Sequence, residues 1–258
     1  MEASIVQRSP VSVELDEGSV VKRIGLVVLS TDLTFERDFQ RVCSADQVGL
    51  YANRVLFENP TTPENLRRML PRIREAAELI ADGSELDAVC YGCTSATVVI
   101  GDQAIEEAIH GAKPGVPVIT PSGAGALGLK AVGARRISIL TPYTVEVSAP
   151  FADYFASRGF EVVNLECLGL DDDRDIARVS RKTILDAAKN ALAPDADAVF
   201  LSCTALRAVE CIDEVEQAIG KPAVSSNQAS IWLSLRRAGI DDAIPGYGRL
   251  LTLGVPDQ

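Results

Sequence analysis

The chain has 258 residues, 47% hydrophobic and 24% charged, with a net charge of −11. That length and apolar content suit one large or two small domains with buried cores. The acidic balance repels phosphate backbones and argues against nucleic acid as a partner, and no run of 18 apolar residues exists to span a membrane.

Residues 1–20 read as a flexible polar tail, without the basic and apolar regions of a secretory signal. Six cysteines in such a chain predict reduced thiols in the cytoplasm, not a disulfide framework. The first apolar run, RIGLVVLS (23–30), predicts a buried strand, and the long segment 63–83 predicts a helix. AVCYG (88–92) predicts a strand, DQAIEEAIHG (102–111) a helix, VPVITP (116–121) a strand and GAGALGLKAVG (123–133) a helix. RISILTP (136–142) and FEVVNLECL (160–168) follow as strands, and 175–193 as a helix with Ile176, Val179, Ile184 and Ala187 near helical spacing. DAVFLSC (197–203) and KPAVSSN (221–227) are the last strands, before the helix QASIWLSLRRAGI. Alternation of this kind predicts α/β architecture, parallel sheets flanked by helices.

The pattern occurs twice. LDAVCYGCTSATVVIG (86–101) and ADAVFLSCTALRAVE (196–210) each hold Asp-Ala-Val, three residues, then Cys-Thr. KRIGLVVLSTDLTFE (22–36) resembles RRISILTPYTVEVSAP (135–150), and GVPVITPSGAGALGLKAVG (115–133) resembles GKPAVSSNQASIWLSLRRAG (220–239). Three units in the same order predict two pseudo-twofold-related, flavodoxin-like halves with a cleft between them. The boundaries expected are 21–128, completed by 226–258, for the first half and 129–225 for the second. Ligands bind beyond the carboxyl ends of parallel strands. Cys93 and Cys203 stand at such ends, each expected just before a helix, so duplication supplies a matched pair of thiols facing one cleft.

A helix N-terminus lowers a thiol pKa and receives carboxylates. Thr94, Ser95 and Thr204 add hydroxyl donors. Two thiols on opposite faces of a carbon can remove a proton on one side and deliver one on the other, or a thiolate can add to an activated double bond. Near-attack separations of about 3–3.5 Å on each side place the sulfurs roughly 6 to 9 Å apart. Neither route needs metal, flavin or pyridoxal, so no cofactor is expected. The bland reading of each cysteine is a small buried hydrophobe.

Cys90 and Cys93 form C-x-x-C, but Cys90 lies in the apolar strand, no second C-x-x-C exists, and His110 is the one histidine. Redox or zinc chemistry is therefore a weaker reading, and a Cys–His hydrolase is disfavoured. Cys43, Cys167 and Cys211 read as structural. PSGAGALG (121–128) lacks the lysine of a phosphate loop and reads better as close helix packing.

Paired Cys-Thr motifs at strand ends resemble those of the aspartate/glutamate racemase superfamily. YGCTSATVVIG, LSCTALR, TPY and GYGRLL resemble its maleate cis–trans isomerase branch, with the ectoine-utilisation protein A group most similar. The resemblance covers roughly residues 22 to 251. It implies that Cys93 and Cys203 are the two catalytic cysteines and that Tyr143 contacts substrate. Arylmalonate decarboxylases share the fold but generally keep only the second cysteine, so the pair argues against that activity. Two departures stand out: maleate isomerases resemble one another in placing asparagine where this chain has Asp32, and again near Asp173. A carboxylate at either position disfavours maleate and favours an amino or cyclic-amidine substrate, unless Asp32 merely caps a helix starting near Thr34.

The expected protein is a cofactor-independent two-cysteine isomerase or racemase of a small carboxylate, used in ectoine or hydroxyectoine breakdown. The alternatives are a maleate cis–trans isomerase and a non-catalytic small-molecule binding protein on the same scaffold. A homo-oligomer, dimer or tetramer, is expected.

Overall fold

The computed structural model describes residues 5–16 and 22–256. Of the expected tail, residues 5–16 are exposed and form no helix or strand, and the rest lies outside the described residues. The first half runs β1 (Lys22–Leu29), α1 (Phe35–Val42), β2 (Val48–Val55), α2 (Pro63–Arg67), α3 (Leu70–Glu78), β3 (Ala88–Gly92), α4 (Thr94–Ile100), α5 (Asp102–His110), β4 (Val118–Ile119) and α6 (Pro121–Ala131). The second runs β5 (Arg136–Thr141), α7 (Val145–Ser148), α8 (Pro150–Ala156), β6 (Glu161–Cys167), α9 (Asp173–Ile176), α10 (Arg181–Ala191), β7 (Ala198–Leu201), α11 (Ile212–Ile219), β8 (Ala223–Ser225) and α12 (Ser226–Arg237).

Two four-stranded parallel sheets result, in the orders β2-β1-β3-β4 and β6-β5-β7-β8. The orders correspond strand for strand, as the sequence repeat requires. The match extends to single hydrogen bonds. Asp87 accepts from the Arg23 N–H at 2.8 Å, and Asp197 accepts from the Arg136 N–H at 2.8 Å. Strands covered on both faces carry continuous apolar runs. Accordingly Leu26, Val27 and Val28 of β1, and Val199, Phe200 and Leu201 of β7, are fully buried.

The sequence reading missed β2. As an edge strand it is only half covered, and Asn53 and Arg54 break its apolar pattern. The helix expected over 63–83 divides into α2 and α3, because Pro71 has no N–H to donate and fits only the first turn of a helix. The helix expected over 175–193 divides where the Ser180 hydroxyl caps α10, accepting from the Thr183 N–H. Cys203 is followed by an irregular turn rather than the expected helix; a short 3-10 turn begins only at Val209.

The halves are tied together at several points. Helix α12 follows β8 but packs on α1, α6 and β3 of the first half. Asp102 at the start of α5 accepts from the Tyr154 hydroxyl of α8 at 2.8 Å and pairs with Arg158, whose guanidinium lies 3.5 Å over the Tyr154 ring.

Glycines set the closeness of α6. A Cβ at Gly125 would lie 2.5 Å from the Phe200 ring, and one at Gly128 would lie 2.8 Å from Leu250. The segment 121–128 is thus a packing surface, as expected. Gly125→Ala gains helix propensity of at most about 1 kcal/mol, but forcing a methyl into this contact costs roughly 1–3 kcal/mol. The urea midpoint of Gly125→Ala should fall below that of the parent, and an unchanged or higher midpoint would refute the packing account.

Candidate active site

Both cysteine turns grow from the central strands. Cys93 follows β3 and directly precedes α4, whose first turn is reinforced by the Thr97 hydroxyl donating to the Cys93 carbonyl at 2.7 Å. Cys203 follows β7 with a φ of +95°, one of two non-glycine residues at positive φ among those described. That conformation costs roughly 1–3 kcal/mol and persists only where neighbours impose it, a pattern typical of functional sites.

The neighbours are visible. The Cys203 N–H donates to the Ser226 hydroxyl at 3.1 Å, and the same hydroxyl accepts from Thr94 Oγ1 at 2.9 Å. Thr204 Oγ1 donates to the Gly92 carbonyl at 3.0 Å. Asn227 Nδ2 donates to the Thr204 carbonyl at 2.9 Å, and Ser122, at the matching place of the repeat, donates to the Thr94 carbonyl at 3.1 Å. Thr34 holds the Ala205 carbonyl at 2.9 Å. One hydrogen-bonded unit therefore fixes both turns. Sequence reasoning missed Ser226, Asn227 and Ser122 as site residues, although the Gly-x-Pro repeat that carries them was in view.

Cys93 and Cys203 line one cavity, with Ser95, Thr204, Tyr143 and Asp173 as its polar wall. Leu29, Phe57, Thr61 and Leu66, absent from the sequence reading, complete it. Thr94 does not line it: its hydroxyl is spent on Ser226, so its part is structural. Asp32 does not line it either. Its Oδ1 accepts from the N–H groups of Thr34 and Phe35 at 2.9 and 2.8 Å, the helix-capping role weighed against substrate contact. Asp173 is at the wall, with Oδ2 accepting from Thr31 Oγ1 at 2.7 Å.

The cavity measures about 10 Å³, room for about one water. Beside the wall residues Thr61 and Asp173 the two halves are hydrogen-bonded to each other. The Thr61 N–H donates to the Asp171 carbonyl at 2.6 Å, Asn59 Nδ2 to Asp172, and the Asp173 N–H to Asn59 Oδ1.

Dryness governs the electrostatics. Burial pushes the Cys93 thiol up to about 12, with the Asp173 and Asp32 charges adding to it, against the Ala96 N–H and the Ser95 hydroxyl, whose oxygen lies 3.6 Å from the sulfur. Burial and then the Asp173 charge push Cys203 well above its ordinary value, against the Tyr143 hydroxyl and the Ala205 N–H. The helix N-terminus was expected to favour a thiolate; in the closed cavity desolvation outweighs it. Burial likewise raises Asp173, against its bond from Thr31, and lifts Asp32 to about 7.

The other cysteines stand apart. All six are free. Cys90 is buried in β3 beside the hydroxyls of Ser230 and Ser234. Cys43, Cys167 and Cys211 lie outside the cavity wall. His110 faces the Val116 carbonyl at 2.9 Å. Among the described residues no group of three His, Cys, Asp or Glu is placed to hold a metal ion.

Two matching α/β halves that meet at paired thiols define an aspartate/glutamate racemase-like fold. A family model for arylmalonate decarboxylase matches residues 52–251, and the chain belongs to that family. The arylmalonate decarboxylase of Bordetella bronchiseptica is 38% identical over 139 residues, which span 53% of this chain and 58% of that protein's length. The maleate isomerase of Nocardia farcinica is 27% identical over 244 residues, 90% of this chain and 96% of that one. Among solved structures, a liganded arylmalonate decarboxylase variant superposes with a TM-score of 0.80 at 29% identity, covering 89% of this chain and 98% of that one. A Nocardia farcinica maleate cis–trans isomerase variant with a covalently bound succinylcysteine intermediate superposes with a TM-score of 0.82 at 24% identity, covering 90% and 98%, a likeness of fold. The chain is an enzyme of a family whose relatives include isomerases. No helix of the described residues is long and apolar enough to cross a membrane.

Behind the wall, Asn227 Nδ2 also donates to Asp38 Oδ2 at 2.7 Å, while Asp38 Oδ1 has no partner. Burial raises the Asp38 carboxyl from 3.8 to about 7; the Asn227 amide opposes this, and the Glu210 charge adds to it. Between about 4 and 7 the folded state keeps a proton that the unfolded state has lost, so stability falls as pH rises through that window. The cost above pH 7 is on the order of a few kcal/mol. Asp38→Asn keeps an acceptor for Asn227 and removes the titration. Relative to the parent, this variant should gain stability in urea unfolding between pH 5 and pH 8. A constant difference across that range would contradict the assignment.

Proposed function

We propose that the chain is a cofactor-independent cis–trans isomerase of a small unsaturated carboxylate, of the maleate isomerase kind. The observation that carries this reading is the placing of Cys93, Cys203 and Tyr143 on the wall of a single enclosed cavity. Relatives named maleate isomerase match over nearly their full length, which favours cis–trans isomerisation over racemisation. The same relatives lend no support to a role in ectoine breakdown. The family's decarboxylase name does not carry an activity to this chain, because two thiols serve an addition–elimination path directly.

Cys93 is the nucleophile in this reading. It sits at the start of α4 with the Ala96 N–H and Ser95 hydroxyl to support a thiolate. Its sulfur adds to one alkene carbon, and the Cys203 thiol gives a proton to the other, leaving a saturated thioether. The former double bond is now single and rotates. The Cys203 thiolate takes the proton back, the electron pair re-forms the double bond in the trans geometry, and the carbon–sulfur bond breaks to return the Cys93 thiolate. Tyr143, whose hydroxyl faces Cys203, steadies that sulfur while it is charged. The covalent succinylcysteine of the Nocardia farcinica isomerase is an adduct of this chemical type.

Serine variants separate the roles. Cys93→Ser should lose turnover of maleate-type alkenes and any covalent adduct. Cys203→Ser should lose about 10²–10⁴ in kcat, the usual share of a general acid–base group, yet still show an adduct of one substrate mass by intact-protein mass spectrometry. Retention of full activity by either variant would overturn this two-thiol path, whereas six thiols inert to iodoacetamide and no turnover by the parent would favour a binding protein instead.

A further inference from the structure

We propose that the substrate carries one carboxylate and, at its other end, a nitrogen that donates hydrogen bonds, an amide or an ammonium, held by the Asp173 side chain. The reaction itself rests on the isomerase reading above; the recognition does not.

The cavity wall contains no lysine, arginine or histidine. Asp173 is its one ionisable carboxyl, 7% exposed and shared with both thiols. Thr31 Oγ1 occupies Asp173 Oδ2. The Asp173 N–H is turned to Asn59, which also reaches Asp172. Among the described residues Oδ1 receives no hydrogen bond, so it is the free acceptor at the wall. Asp32 is a second buried carboxyl on which the Asp173 charge acts. The cation that acts on Asp32 is Arg54, and its guanidinium is already committed to the carbonyls of Leu29 and Asp32 and to Glu36. No positive side chain is left to neutralise a dianion in this space.

One carboxylate can be served by a hydroxyl on the wall that the thiols do not use, that of Thr61. A second carboxylate would have to lie against Asp173 in a site closed to water, where like charges repel most strongly. A nitrogen donor meets Oδ1 and relieves the burial that pushes this carboxyl up. Selection by charge at one end and by a donor at the other distinguishes a half-amide from a diacid of nearly the same size.

Saturated probes read recognition without requiring turnover. Calorimetric titration of the full-length protein with succinate and with succinamate, its half-amide, should show succinamate binding roughly tenfold or more tighter. Maleamate should likewise outperform maleate as substrate in kcat/KM. Asp173→Asn replaces the carboxylate by an amide that can donate to a carboxylate, so it should shrink the succinamate preference by roughly tenfold or reverse it. Tighter binding of succinate by the parent protein, or an unchanged ratio in Asp173→Asn, overturns the proposal. The first result would mean that Asp173 sits at the wall as a neutral acid donating to a carboxylate, and the second that Asp173 does not set the preference. If the variant folds poorly, the parent's own ratio decides. If the preference holds but neither alkene reacts, the recognition stands and the isomerase reading fails.

Discussion

The Ser226 hydroxyl accepts from the backbone of one cysteine turn and from the threonine of the other. The site depends on this shared acceptor. A strand end in one half of a two-lobed protein is free to drift relative to its counterpart; here the two are members of one network. Thr204 reaches back to the Gly92 carbonyl, and Asn227 grips the Thr204 carbonyl from the same helix start that offers Ser226. The positive φ of Cys203 is imposed from this side. In the proposed reaction the two sulfurs must be held to within a fraction of an ångström to act on one small molecule. The network supplies that precision from α12, the helix that belongs to one half in sequence and to the other in packing.

The cavity walls disfavour every charge that the proposed reaction needs. Both thiols and Asp173 are pushed toward their neutral forms, chiefly by burial. The closed state therefore stores neutral sulfur. In the proposed reaction a thiolate arises as substrate donors compensate its charge. Low dielectric then strengthens every dipole aimed at the reacting carbons once water has left.

Much of this was legible in the chain. Asp-Ala-Val and Cys-Thr at matched places announced two halves, and the strand orders bear that out. Continuous apolar runs identified the buried strands, while β2 escaped because an exposed edge with Asn53 and Arg54 gives no such run. The repeat placed both cysteines at strand ends, yet it suggested a helix after each. The backbone of Cys203 departs from that, since a residue at positive φ cannot serve as an ordinary helix start. The family resemblance singled out Asp32 first and Asp173 less firmly; only the tertiary structure shows Asp32 turned to a helix end and Asp173 to the cavity. Thiol ionisation was likewise beyond the sequence, because desolvation is set by residues such as Phe57 and Leu66 from distant segments.

The central claim is that two sulfurs address one small molecule from opposite sides. A short bifunctional alkylating agent, 1,3-dibromoacetone, tests it directly when followed by peptide mapping of the alkylated protein. The account predicts a single three-carbon bridge joining Cys93 to Cys203, formed in place of two separate modifications and blocked by a bound carboxylate. Independent alkylation of the two residues, with no bridge between them at any reagent level, would contradict it.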